Sequence, residues 1–297
     1  MKPTIELLKS QVLTEFASGS SINYANDKLY LIGDDANTIL ILDTDYKKID
    51  SIRLFDHPET RIPKSKKSDL EASTFMSVNG TLHLLILGSA SRSQRKKVIL
   101  MPLESLNLNK PYFREYDSGE FIKRVVGNGI DEVNIEGITV IGNHLVLANR
   151  GNNSNQKNHL IITGNYFWEK QMEAPLHIRQ LLIPPGIKAF AGVSEVCYLA
   201  SKDILLFTLC SEATSNAYDD GVIGDSYIGW INNISNKIDD LTVTLDGTVN
   251  LSGVSDEFKG QKIEGICVQE MTDDKAIIHL VSDNDGEVSK LFKIKLF

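Results

Sequence analysis

Short runs of Leu, Ile, Val, Phe and Tyr recur along the chain between clusters of Gly, Asn, Asp and Ser, as in "DKLYLIG", "TILILD", "TLHLLILG", "KVILMPL", "HLIITG" and "AIIHLV". Runs of that length bounded by turn residues predict β-strands, and apolar positions at a 3.6-residue period are almost absent. The pattern predicts an all-β chain.

One phrase returns five times: Ser20-Ser21-Ile22-Asn23-Tyr24, Glu71-Ala72-Ser73-Thr74-Phe75, Glu136-Gly137-Ile138-Thr139-Val140, Ser194-Glu195-Val196-Cys197-Tyr198 and Glu264-Gly265-Ile266-Cys267-Val268. Each copy opens on Ser or Glu, has a small residue in fourth place, and runs through a tight turn into a second apolar run. The copies begin 51 to 70 residues apart, the length of a four-stranded propeller blade. The expected architecture is a five-bladed β-propeller formed as one domain over residues 1–297. After Glu264 only three strands fit before Phe297, so the N-terminal run "TIELLKSQVLTEF" is expected to supply the outer strand of the last blade and cover its open edge. The competing architecture is a β-sandwich in which the short matches are coincidental.

Composition narrows the function. The chain carries 42% hydrophobic and 24% charged residues, typical of a globular protein with a sizeable core. A formal net charge of -8 argues against a nucleic-acid binder. Three cysteines without C-x-x-C spacing suggest neither a disulfide framework nor a zinc ribbon. No apolar run approaches the ~20 residues of a membrane span, and the first residues lack the apolar core of a secretory signal, so a cytoplasmic protein without a membrane partner is expected.

The chemistry lies in the first residue of each repeat. Inner strands line the axis of a propeller, so Ser20, Glu71, Glu136, Ser194 and Glu264 are expected to form a ring at one end of the channel. Carboxylates held that close either raise one another's pKa or share a cation. A hard divalent ion with oxygen ligands suits the set, and Ca2+ tolerates an irregular shell better than Mg2+. The six histidines show no ligand spacing for zinc or iron. The alternative is that the glutamates cap backbone N–H groups or bind water.

Loops joining the second and third strands, such as "GDDANT", "GSASRSQRKK" and "NRGNNSNQKN", are long and polar, and they share a face with the segments that lead into the inner strands. One sector is basic, with Arg61, Lys64, Lys66 and Lys67 in one loop and Arg92, Arg95, Lys96 and Lys97 in another. Arg92 and Arg150 are the candidates for holding phosphate oxygens of a small phosphorylated ligand. Tyr218 and Tyr227 are the aromatics of the longest loop region. "GVSEV" lacks the second glycine of a nucleophile elbow, and no phosphate-binding P-loop occurs.

The order Ser, Glu, Glu, Ser, Glu, together with "KIEGICV" and "GVSEV…DILLFTLCSEA", resembles the calcium-activated nucleotidase (apyrase) family of five-bladed propellers. Phytase-like and esterase-like propellers share the "E-G-I" strand followed by a short polar stop. The resemblance implies a central Ca2+ held by Ser20, Glu71, Glu136, Ser194 and Glu264. It also implies hydrolysis of a nucleoside diphosphate or related phosphoester, with Glu71 or Glu136 holding the attacking water. A non-catalytic propeller with a structural ion, recognising a protein or sugar through its long-loop face, is the second expectation.

Overall fold

The computed structural model describes residues 3–107, 111–187, 189–213, 216, 221–284, 286 and 288–297. Its strands are β1 (Ile5–Leu13), β2 (Gly19–Ala25), β3 (Lys28–Gly33), β4 (Thr38–Asp43), β5 (Lys48–Arg53), β6 (Leu70–Val78), β7 (Thr81–Gly88), β8 (Lys97–Pro102), β9 (Arg114–Asp117), β10 (Ile135–Ile141) and β11 (His144–Asn149). They continue as β12 (Asn158–Gly164), β13 (Leu176–Leu182), β14 (Gly192–Leu199), β15 (Ile204–Glu212), β16 (Ile223–Asn232), β17 (Thr242–Thr244), β18 (Gly247–Asn250), β19 (Ile263–Met271), β20 (Ala276–Asp283) and β21 (Ser289–Leu296).

Five sheets form the blades of a β-propeller: β2-β3-β4-β5, β6-β7-β8-β9, β10-β11-β12-β13, β14-β15-β16-β18 and β19-β20-β21-β1, here blades 1 to 5. The N-terminal strand closes blade 5, pairing antiparallel with β21 from Ile5↔Leu296 to Leu13↔Ser289. One addition to the expected plan is β17, which leaves blade 4 and pairs parallel with β13, so that it extends blade 3. Another is an α-helix, α1 (Gly119–Gly127), whose Phe121, Ile122 and Val125 are buried between blades 2 and 3. Its apolar positions repeat for only about one turn, too short a stretch to stand out as a helical period.

The hairpins between first and second strands are tight because their sequences accept left-handed backbone. Asn26 and Asp27 have φ of 50° and 57°, and Asn79 and Gly80 have 50° and 80°. That is the geometry of the two-residue turns favoured in hairpins. The core is not one central mass. It divides into five apolar clusters, one in each seam between neighbouring blades, including the seam that joins blade 5 to blade 1. Closing the ring therefore buries the last two apolar faces together.

Inner strands β2, β6, β10, β14 and β19 touch one another in turn around the axis. In each, the ladder with the second strand skips one residue at the head: Ser20, Glu71, Glu136, Ser194 and Glu264. These are β-bulges, which bend a strand and re-aim a side chain. Each bulge coincides with the first residue of a sequence repeat. No helix among the described residues is long and apolar enough to cross a membrane.

Glycine after the bulge lets the inner strands approach. A Cβ on Gly137 would lie 2.7 Å from Glu195 Oε1 and 2.8 Å from the Val196 nitrogen, while one on Gly253 would meet nothing within 4 Å. Gly137→Ala is therefore expected to lower stability by about 1–3 kcal/mol, with Gly253→Ala near neutral, as read from urea unfolding of the two variants.

Candidate functional site

The five bulges bring Ser20, Glu71, Glu136, Ser194 and Glu264 to one end of the axis, on the face of the long loops. They are not equivalent there. Ser20 is buried and its Oγ donates to the Leu70 carbonyl at 2.7 Å. Glu136 accepts from Asn134 Nδ2 at 2.5 Å, and its other oxygen lies 3.5 Å from Arg150 Nη1. Ser194 Oγ accepts from Arg150 Nη1 at 3.4 Å. Glu264 is 2.9 Å from Lys262 Nζ.

Around these lies a second set of charges from the loops. Arg150 Nη2 is 2.9 Å from Glu212 Oε2, and Lys262 reaches the same oxygen at 3.4 Å. Gly192 leaves the room that Arg150 fills, since a Cβ there would meet Arg150 Nε at 2.6 Å. Blades 3, 4 and 5 are thus joined by a buried chain of alternating charge. On the blade 1 and 2 side, Lys67 Nζ contacts Asp34 and lies 2.8 Å from Asp69 Oδ1, while Arg95 Nη1 is 2.7 Å from Asp69 Oδ2. Asp34, Asp69 and Glu71 each present one carboxylate oxygen, all within 4.8 Å of one another. Asp34 Oδ1 and Asp35 Oδ1 are buried with no hydrogen-bond partner among the described residues.

The basic loops turn inward. Lys67, Arg95 and Arg150 are buried and neutralise carboxylates, whereas Arg92 is exposed at the loop surface. Arg61 stays half in solvent, held by Asp35 at 2.8 Å and the Gly286 carbonyl at 2.9 Å. Arg61, Lys64 and Lys67 line a cleft of about 380 Å³ with Asp34, Asp35 and Asp283. Tyr227 sits on β16 in the core; Tyr218 lies outside the described residues.

Protonation follows from this crowding. Burial, then Asp69, Glu136, Asp34 and Glu264, hold Glu71 well above the usual carboxylate range. Burial, with Asp283 and Glu136, does the same to Glu264 against the pull of Lys262. Glu136 is raised by burial even with Arg150 and Lys262 beside it. For Glu212 burial is outweighed, and Lys262 and Arg150 draw it below its ordinary value.

One layer deeper is a residue the repeat concealed. Glu195, beside the Ser194 anchor, is 1% exposed and projects across the axis. Its Oε2 accepts from Ser21 Oγ at 2.6 Å, and its Oε1 accepts from the Ile138 and Val196 nitrogens at 3.1 and 3.0 Å. Ser73 Oγ is 2.7 Å from Ser21 Oγ and accepts from Asn23 Nδ2 at 2.6 Å. The network ties blades 1, 2, 3 and 4 at the axis. Asp34, Asp69, Glu212 and Lys262 carry no repeat signal, although each lies at or just after the end of a second strand or just before an inner one.

Removing Arg150 leaves Glu136 without its main cation and Glu212 with Lys262 alone, so Arg150→Met is expected to cost about 3–5 kcal/mol, partly recovered by adding Glu212→Gln, measured by denaturant unfolding. Glu71 and Glu264 have folded values above their unfolded ones, so their contribution is complete below the ordinary carboxylate pKa and is lost as pH rises through the raised values. The melting temperature of chelated protein is therefore expected to fall as pH rises from mildly acidic to alkaline, and Glu71→Gln to flatten that slope.

Among solved structures, Myxococcus xanthus glutaminyl cyclase aligns with TM-score 0.57 at 11% identity over 99% of this chain and 97% of that one. That likeness shows the propeller fold alone. Staphylococcus aureus virginiamycin B lyase (TM-score 0.47, 12% identity, all of both chains) and Streptomyces coelicolor aldose sugar dehydrogenase (0.43, 11%, 100% and 99%) are more distant. No curated protein matches the chain. The profile of a family of unknown function, DUF6929, matches residues 15–296, and the chain belongs to that family.

Proposed function

We propose that the axial mouth is a divalent-cation site, with Ca2+ the preferred ion, and that the protein uses it to hydrolyse a phosphoanhydride or phosphoester of a small molecule. The observation that carries the cation is the convergence of Asp34, Asp69 and Glu71 within 4.8 Å, with Asp34 Oδ1 lacking a partner among the described residues. Oxygens bound to Ca2+ at about 2.3–2.6 Å stand no more than about 5 Å apart, and an all-oxygen donor set suits a hard ion. Lys67 Nζ occupies the same pocket, so an incoming cation must displace it from Asp34 and Asp69. Glu136, Glu264, Ser20 and Ser194 stand around this centre as outer members that water can link to the ion.

A bound cation would polarise a phosphoryl oxygen and offset its charge. Burial and neighbouring carboxylates raise Glu71 well above the usual range in the metal-free protein, and its partly accessible carboxylate would hold water beside the ion. In this reading Glu136 orients that water. Arg61, half in solvent on the cleft wall, supplies a cation for the phosphorylated ligand, while Arg150 holds Glu136 and Glu212 in place. The internal pairing by Lys67, Arg150 and Lys262 supports a second reading, in which the ion is structural and the long-loop face only binds.

In chelated protein, Ca2+ at about a hundred times its Kd is expected to add about 2.7 kcal/mol, seen as a higher melting temperature that Asp34→Asn and Asp69→Asn abolish. Mg2+ and Mn2+ tested separately establish the preference, and phosphate release from nucleoside diphosphates is followed in the same samples. Loss of turnover in Glu136→Gln with the Ca2+ response retained supports catalysis. A Ca2+ response without phosphate release from any nucleotide favours the structural ion, and no response to any of the three metals defeats the cation site.

A further inference from the structure

We infer that a second binding site, for a neutral sugar ring, lies on the opposite face of the propeller in the cleft between blades 2 and 3. The cleft measures about 490 Å³ and is lined by the β6–β7 turn, the end of β8, the start of β9 and the loop after β12. That places it on the face of the β6–β7 turn, away from the axial carboxylates. Its volume falls within the few hundred to about 1,000 Å³ typical of small-molecule sites.

Aromatic residues make up only 7% of the chain, yet Tyr112, Tyr116 and Tyr166 line this one cleft, with Phe113 at its edge packed into the neighbouring seam. None is buried, and Tyr112 is 51% exposed. The rings are braced rather than loose. Tyr116 and Tyr166 pack on the buried Trp168 at centroid distances of 6.1 and 5.8 Å, and Tyr112 Oη donates to Glu104 at 2.9 Å. Tyr166 also holds a left-handed backbone, φ 66°, which is costly for a bulky side chain and is found where surroundings enforce it.

The polar groups decide the ligand class. Arg114 and Glu169 line the same cleft, both exposed and opposite in charge, and Glu169 Oε1 accepts from Tyr116 Oη at 3.4 Å. Their charges cancel, so the cleft does not select a charged ligand. A pyranose presents apolar C–H faces that stack on aromatic rings, and equatorial hydroxyls that both donate to a carboxylate and accept from a guanidinium. A polyproline segment would use the rings and offer carbonyls to Arg114, but it has no N–H to give Glu169.

Saturation-transfer NMR and calorimetry with maltose, cellobiose, lactose and N,N′-diacetylchitobiose test the site on the full chain. Saturable millimolar or tighter binding of at least one sugar is expected, unchanged by chelator. Tyr112→Ala and Arg114→Ala, both at exposed side chains, are each expected to weaken it by about tenfold with the melting temperature unchanged. The inference is overturned if none of the four sugars binds, if binding ignores both substitutions, or if only a decaproline peptide binds in a Tyr112-dependent manner.

Discussion

Like charges crowded around one axis set the terms for the rest of this molecule. Five bulged residues turn toward the centre of the propeller, and three of them are glutamates. Desolvated carboxylates at that separation cannot all ionise unless positive charge comes with them. The loops supply it from neighbouring blades: Lys67 beside Asp34 and Asp69, Arg150 between Glu136 and Glu212, and Lys262 between Glu212 and Glu264. The compensation is uneven. Arg150 and Lys262 serve the blade 3 to 5 side and Lys67 and Arg95 serve Asp34 and Asp69, whereas Glu71 is held well above the usual range by burial and by the carboxylates around it. The proposed cation would sit beside Glu71, taking the place of Lys67 at Asp34 and Asp69.

The same crowding makes the inner ring a mechanical unit. Glu195 spans the axis and accepts from Ser21, Ile138 and Val196, and Gly137 is the residue whose missing side chain makes room for it. Hydrogen-bonded centre and apolar seams are complementary: the seams bind neighbours pairwise, while Glu195 connects strands that are not neighbours. A burial cost at the centre is thereby spread over the closed ring, and closure itself depends on β1 completing blade 5.

The two faces then take different roles. Loops on one face carry the charged groups above the axial ring, and on the other face the β8–β9 and β12–β13 connections hold aromatic residues at the blade edges. A rigid scaffold with sites on its connections is the usual division of labour in such folds. Its reuse for unrelated chemistries is why the likeness to glutaminyl cyclase informs the architecture and not the reaction.

The linear pattern determined the blade count, the anchors and the closure by the N-terminal strand, because blades repeat and strand alternation is local. Even the bulges were latent in it, since each skipped residue opens a repeat. Helix α1 was hidden because its apolar face spans about one turn, and β17 because a three-residue strand pairing into another blade leaves no periodic trace. The charge pairing was decided only by tertiary structure. Nothing in "ANRGN" or "KSKKSD" says that Arg150 and Lys67 point inward while Arg92 stays in solvent, because each partner lies on another strand or blade. Residue types told that carboxylates gather at the axis; which cation meets which carboxylate, and where charge is left over, is a property of distances that exist only once the ring has closed.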